Sequence, residues 1–241
     1  MKPNLRMTQV AKVIDLSPHL RRIVVTGNAL QNFPTGKEGA HVKVFLPSDE
    51  EPKKRSYTIR YFDPEKLELA LDFVVNRHQG PATNWAKNAK IGDSVGIAGP
   101  GPLKITRFDQ QSYLLIGDIT SVNAVNGYVM RFNPQADIRV IISVPTKDDI
   151  IALSYDDSIL THWYIEDEEN EDLDICVATV AKQMAKDTIV FMGLEASNIR
   201  KLRPILQKKL GFDRLNISAV GYWKKGVDAD QFNLQKKANP L

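Results

Sequence analysis

Residues 53–62 read KKRSYTIRYF: three cationic side chains, Lys53, Lys54 and Arg55, run directly into a strand-like alternation of aromatic and β-branched residues. Such a cluster either solvates a strand edge or waits for an anion, and what accompanies it decides between the two. Further along, residues 78–86 read HQGPATNWA. Gly80-Pro81 allows a tight turn and Ala82-Thr83 opens a helix, so small residues and a hydroxyl stand where free N–H groups would face a diphosphate at close range. A third stretch, GDITS at 117–121, follows an apolar strand and offers Thr120 or Ser121 as a helix N-cap. In open α/β sheets ligands gather at this end of the strands. Taken singly, each is also a plain structural turn or cap. Neither G-x-G-x-x-G nor a Walker G-x-x-x-x-G-K-[ST] is present.

Composition narrows the classes. The chain has 241 residues, 43% hydrophobic and 25% charged, as in an ordinary globular protein. No apolar run approaches the roughly 18 residues of a membrane span, and the first residues lack the pattern of a secretory signal. A single cysteine, Cys176, excludes an internal disulfide framework and any four-cysteine site. The histidines are scattered at 19, 41, 78 and 162, so no protein metal site is expected. The net charge of +3 decides little. Its distribution does more: basic pairs recur at Lys208–Lys209, Lys224–Lys225 and Lys236–Lys237, against an acidic run from Glu166 to Asp174 read as a solvated loop or helix start. Basic residues are not interleaved with aromatics along one face, which argues against single-stranded nucleic acid.

The elements that must position these residues follow two grammars. Up to about residue 105 short strands alternate with turns: KVIDL and LRRIVV about a Ser-Pro turn, HVKVFL, SYTIRYF, LELALDFVV after the DPEK turn, and DSVGIA closed by Gly and Pro. Only GPATNWAKNA reads as helical. This spacing predicts a β-barrel or sandwich. From about Ser112, the strands YLLIGD, ADIRVIISV, TIVFMG and NISAVGYW alternate with helical TSVNAVNGYVMRF, DICVATVAKQMA and ASNIRKLRPILQKKLG. Strand–helix alternation predicts a mostly parallel sheet with crossover helices. The boundary lies near Lys104–Ser112, with no internal repeat.

Together, GAHVKVFLP (39–47), RSYTIR (55–60), DFVVNRHQGPATNWA (72–86), GDSVGIAGP (92–100), GDITSVNAV (117–125), GLEASNIRKLR (193–203) and GYWKKG (221–226) resemble the siderophore-interacting proteins. These are flavin-dependent ferric-siderophore reductases of the ferredoxin–NADP reductase superfamily. The segments occur in family order over nearly the whole chain. The resemblance implies an antiparallel Greek-key FAD-binding barrel over 1–108 and a Rossmann-like parallel-sheet domain over 109–241, with FAD between them. Arg55 would meet the diphosphate, and Ser56, Tyr57 and Thr58 would follow it along the strand, the last two beside the isoalloxazine. Asp72, Phe73 and Val74 would edge the ring through backbone groups, Gly80, Pro81, Ala82 and Thr83 would cradle the diphosphate, and Trp85 would pack behind the helix. Asp118, Thr120 and Ser121 of GDITS would help hold the adenine end.

The resemblance also implies a basic pocket for an anionic, catecholate-type ferric siderophore, with Lys54, Lys104 and Lys224 as substrate-binding residues and Lys53 and Lys225 as near alternatives. Departures from the family pattern are Asn76 for a histidine, Gly101 for the arginine of G-P-R, Ile119 and Asn123 in the GDITS loop, and Lys224 for arginine. Tyr222 and Trp223 either cover flavin or substrate or close the sheet. The expected activity is reduction of siderophore-held Fe(III) to Fe(II), the flavin carrying the electrons, with no catalytic acid–base set and no protein-bound metal. The donor is NADPH, NADH or reduced ferredoxin; Lys201, Arg203 and Lys208–Lys209 read as a solvated helix face rather than a ferredoxin-docking patch. The expected protein is a cytoplasmic monomer without nucleic-acid or membrane partners. The rivals are a general flavin reductase or diaphorase and a non-catalytic siderophore carrier.

Overall fold

The computed structural model describes residues 5–47, 53–168 and 171–239. The chain folds as two compact units, Met1–Lys104 and Ile105–Leu241.

The first unit contains strands β1 (Arg6–Ser17), β2 (Leu20–Thr26), β3 (His41–Leu46), β4 (Lys53–Asp63), β5 (Glu68–Val74) and β6 (Ser94–Ala98), and helix α1 (Pro81–Asn88). They close into an antiparallel barrel in the order β1-β2-β5-β4-β3-β6. Strands β3, β4 and β5 follow one another and β6 returns beside β3, a Greek key. Closure is completed where β6 pairs with β1 as well as β3. Period-two alternation fills the interior: Val42, Val44 and Leu46 of β3 meet Ile59, Leu69, Leu71, Phe73, Val95 and Ile97, all fully or almost fully buried. The polar turn DPEK works as read, since the Asp63 carboxylate accepts from the N–H groups of Glu65 and Lys66 at 3.0 Å. Helix α1 starts with a proline in its first turn, where the missing N–H costs nothing. It buries Ala82 and Ala86 against the barrel core.

The second unit contains β7 (Ser112–Asp118), α2 (Val122–Val129), β8 (Asp137–Val144), β9 (Leu160–Ile165), α3 (Leu173–Ala181), β10 (Ile189–Glu195), α4 (Ala196–Pro204), β11 (Ile217–Trp223) and α5 (Ala229–Ala238). The sheet is parallel throughout, in the order β11-β10-β7-β8-β9. The chain first builds outward through β8 and β9 and then returns to the other side of β7, so the direction of winding reverses between β7 and β10. Barrel followed by parallel α/β sheet is the architecture the two grammars predict. Strand β9 and helix α5 were not anticipated: LTHWYI mixes exposed and half-buried positions, and α5 buries only Phe232. After Pro204, α4 continues as a wider π turn over Ile205–Lys209, and Gly211 ends it with φ of 74°. The acidic run divides between the end of β9 and Asp172, the residue that precedes α3, while residues 169 and 170 lie outside the described residues.

Ser121 at the start of α2 and Phe191 pack so closely over β7 and β10 that side chains are excluded from two positions. A Cβ on Gly117 would stand 2.7 Å from the Ser121 hydroxyl, and one on Gly193 would stand 2.9 Å from both the Phe191 ring and the Ser121 Cβ. Gly193→Ala should therefore destabilise the protein by about 1–3 kcal/mol, the usual cost of overpacking. Urea unfolding should show a lower midpoint at unchanged slope; a wild-type midpoint would mean that the Ser121 and Phe191 side chains yield easily.

Candidate functional site

Strand β4 carries the opening cluster, and its alternation splits that cluster between two faces. Lys53, Arg55 and Tyr57 lie opposite Leu46, Val44 and Val42 of β3, the residues that turn into the barrel. Lys54, Ser56 and Thr58 lie opposite Phe45, Lys43 and His41, which turn outward. Arg55 is half-buried and donates to the Lys54 carbonyl at 2.9 Å. Tyr57 is half-buried with its ring 3.9 Å from that of Phe73, which in turn lies 5.4 Å from Trp85 on α1. Burial pushes the Tyr57 phenol up, against a smaller opposing effect of Arg55, so the hydroxyl stays protonated. The aromatic series links the Arg55–Tyr57 side of β4 to α1.

The N-terminus of α1 meets the requirements read from HQGPATNWA. No side chain caps it, and its first internal bond runs from Asn84 N–H to Gly80 C=O at 2.9 Å. A Cβ on Gly80 would meet no atom within 4 Å, so the approach is open. Ala82 and Thr83 are buried beneath it, and the Thr83 hydroxyl lies 2.9 Å from His78 Nε2. Burial, helped by Arg77, lowers the pKa of His78 and favours the neutral ring. A recess of about 440 Å³ opens beside the helix, bordered by Lys53, Pro81, Asn84 and Trp85. An open helix start, a guanidinium on the linked face of β4 and an aromatic floor fit a flavin nucleotide with its diphosphate.

The next three candidates differ in what they have left to offer. The Asp72 carboxylate takes a bidentate ion pair from Arg22 at 2.7 and 2.8 Å, so its side chain is committed to the barrel wall. Phe73 is buried in the core and Val74 is half-buried opposite Leu20. Asn76 replaces the family histidine where φ is 61°, a conformation asparagine tolerates better than most residues, and its amide donates to the Pro18 carbonyl at 2.9 Å.

In the second unit, GDITS turns from β7 into α2. Asp118 is buried; its Oδ1 accepts from the Thr120 N–H at 2.9 Å and the Thr120 hydroxyl at 2.5 Å, and its Oδ2 accepts from the Trp223 indole at 2.8 Å. Burial pushes the Asp118 carboxyl up against the pull of these bonds. Ser121 is fully buried and donates to the Gly193 carbonyl at 2.6 Å, which leaves Thr120 as the half-exposed hydroxyl of the loop. Trp223 thus ties the end of β11 across to the end of β7. Lys224 is half-buried and donates to Gln235 of α5 at 2.7 Å, whereas Lys225 is exposed. Lys54 and Lys104 are exposed, both in the first unit.

Sequence reading passed over several groups here. Lys43 donates to Ser56 at 2.6 Å, and Glu195 caps α4 through Ser197 while accepting from the Lys225 N–H. The signal for Lys43 was available: antiparallel pairing of HVKVF with KRSYT sets it opposite Ser56. Among the described residues no group of three or more His, Cys, Asp or Glu side chains could hold a metal ion, and no helix is long and apolar enough to cross a membrane.

Comparison with known proteins agrees with this organisation. A profile described as siderophore-interacting FAD-binding domain matches residues 9–54 and 46–103, and one described as siderophore-interacting protein matches 110–226. The chain is 25% identical to the ferric vibriobactin reductase ViuB of Vibrio cholerae over 92% of this chain and 90% of that protein. It is 22% identical to the ferric acinetobactin reductase of Acinetobacter baumannii, covering 78% and 66%. The crystal structure of the siderophore-interacting protein SipS from Aeromonas hydrophila superposes with a TM-score of 0.84 at 27% identity, covering 98% of both chains. Ferredoxin-NADP+ reductase from Plasmodium falciparum shares the fold at a TM-score of 0.71 and 14% identity, covering 90% of this chain and 96% of that one. With an FAD-binding barrel and a parallel-sheet unit matched in order, this chain belongs to the siderophore-interacting protein family, on the ferredoxin–NADP reductase fold.

Proposed function

We propose that the protein is an FAD-dependent reductase that releases iron from ferric siderophores as Fe(II). The observation that carries this reading is the open, uncapped start of α1 linked through Trp85, Phe73 and Tyr57 to the arginine-bearing face of β4. It lies inside the segment matched to an FAD-binding domain of siderophore-interacting proteins. In this reading Arg55 offsets the charge of the diphosphate, and the N–H groups of Gly80, Ala82 and Thr83, turned by Pro81, donate to it. Ser56, Tyr57 and Thr58, with the backbone of Asp72, Phe73 and Val74, orient the ring system. Asp118 and Ser121 fix the shape of the GDITS loop, and Thr120 with the loop backbone holds the adenine end. Bound FAD supplies the electrons, taken from NAD(P)H or reduced ferredoxin and passed to Fe(III).

The protein's own task is binding and field. Lys54, Lys104 and Lys224 raise the local concentration of an anionic catecholate chelate through their potential, and no side chain has to move a proton at the metal. Siderophores hold Fe(II) far less strongly than Fe(III), so reduction itself releases the iron. The names of the V. cholerae and A. baumannii relatives support this substrate class. The reading is of a monomeric, cytoplasmic enzyme.

Arg55→Ala should weaken FAD binding by about 1.5–3 kcal/mol, the worth of a charge-assisted hydrogen bond, measured by equilibrium dialysis or flavin fluorescence; unchanged affinity would remove Arg55 from the diphosphate. The reaction class is tested on purified protein loaded with FAD and photoreduced without oxygen. Addition of a ferric tris-catecholate should restore the oxidised spectrum rapidly. Reoxidation by free flavin or quinone, with no preference for ferric chelates, would favour a general flavin reductase. Lys54→Ala should chiefly raise KM for the chelate, and an unchanged KM would take Lys54 out of the substrate site.

A further inference from the structure

The outward face of β3 carries basic groups that the cofactor assignment does not use. Because Val42, Val44 and Leu46 fill the barrel, His41, Lys43 and Phe45 must face out, next to Thr58, Ser56 and Lys54 of β4. The Lys54 ammonium lies 5.5 Å from the centre of the Phe45 ring. The Lys43 ammonium donates to Ser56 Oγ. The His41 ring occupies the place where Gly101 has no side chain: a Cβ there would stand 2.4 Å from Cε1 and 2.6 Å from Nε2. The Gly101 N–H donates to the His41 carbonyl at 2.8 Å, which fixes the segment leading to Lys104 against the end of β3. Lys54, Lys43 and His41 thus form a strip on the outer barrel wall, and Lys104 extends its electrostatic reach at the His41 end.

Among the described residues, no acidic side chain is paired with Lys43 or His41. The charged groups that act on His41 are Lys104, three residues after Gly101, and Lys43, on its own strand; Thr58, paired with it on β4, and Gly101, against its ring, carry none. Lys43 in turn feels Arg55. Burial first, and then these cations, lower the pKa of His41 and of Lys43, so the His41 ring favours its neutral form while the Lys43 charge is held against its surroundings. Neither ring nitrogen of His41 has a hydrogen-bond partner among the described residues. An ammonium has three N–H donors, and Ser56 is the one partner of Lys43 among the described residues. A bound anion would supply what both groups lack.

We propose that this face of β3 is a wall of the ferric-chelate site, with Lys43 and His41 as substrate-binding residues beside Lys54 and Lys104. The ligand class is a ferric catecholate: several closely spaced anionic oxygens on a rigid body span neighbouring strand positions, Lys43 contributing charge and His41 a neutral ring N–H. The inference rests on the reductase reading. Without it the same strip is an anion site with no assigned ligand.

The test uses FAD-loaded protein and a ferric tris-catecholate, with dissociation constants measured by fluorescence quenching at low and high salt. Lys43→Gln should raise Kd about tenfold, in the range of close interfacial charges, and flatten its salt dependence, while Lys43→Arg keeps wild-type affinity. His41→Asn should weaken binding less and leave the salt dependence intact. Lys66→Gln, on the β4–β5 turn, should change nothing. FAD content and the oxidised spectrum are read on every variant. Wild-type affinity in both Lys43→Gln and His41→Asn would overturn the proposal. So would a Lys43→Gln protein that loses FAD but whose loaded fraction binds the chelate normally, since Lys43 would then only steady Ser56. Should Lys43→Gln fail to fold, His41→Asn decides alone. A wild-type protein that holds FAD yet binds no ferric chelate would bring down the reductase reading and this inference with it.

Discussion

Closure of the barrel by β6 is the constraint on which the first unit depends. Only five residues, Ser94–Ala98, bond to β1 on one side and β3 on the other. With no edge left to slip, the register of β3 against β4 is fixed, and period two does the rest. A slip of one residue would bury Lys43 and Ser56 and expose Val42 and Val44. Fixed register is what gives one strand two chemistries: Arg55 and Tyr57 turn toward the helix-bearing interior, while Lys54 and Ser56 turn toward water. The KKRSYT cluster is therefore two half-clusters, with Lys53 and Arg55 on one face of β4 and Lys54 on the other.

The second unit reaches a comparable end by a different route. Its central strands β7 and β10 are buried on both faces, so their polar groups gather at the C-terminal turns. There Gly117 and Gly193 let Ser121 wedge between β7 and β10, and Asp118 gathers Thr120 and Trp223. The loop's shape is set by bonds that point inward. A hydroxyl read from sequence as a ligand contact is in one case, Ser121, the fastening of the loop itself. The N–H groups of Asp118, Thr120 and Ser121 are likewise taken up inside the turn; at α1, by contrast, Gly80 and Ala82 contribute conformation and access rather than functional side chains.

Much of this was legible because alternation and turn chemistry agree. HVKVFL, SYTIRYF and LELALDF announce strands whose buried residues are the ones their period selects, and Asp63 closes the turn that DPEK advertises. The apolar runs YLLI and VIISV likewise could only be buried parallel strands. Other parts were hidden for physical reasons. LTHWYI is an edge strand covered on neither side well enough to show a period. Helix α5 is polar nearly all round and is anchored by Phe232 and by the Lys224–Gln235 and Lys236–Gly221 contacts, which are tertiary. The roles of His41 and Lys43 depend on strand pairing between segments more than ten residues apart. A single segment carries no trace of what it will face, whereas the α1 motif, being local, could be read directly.

The tryptophans add a practical property. The chain has only three, Trp85, Trp163 and Trp223. Trp85 closes the aromatic series beneath the α1 start, and Trp223 is bonded to the carboxylate that shapes the GDITS loop. Trp163 lies in β9, at the opposite edge of the sheet from β11. The molecule therefore carries one optical reporter on α1, one beside the GDITS loop and a third in β9, so single tryptophan-to-phenylalanine replacements would let changes at the barrel and at the sheet be timed separately without attaching any dye.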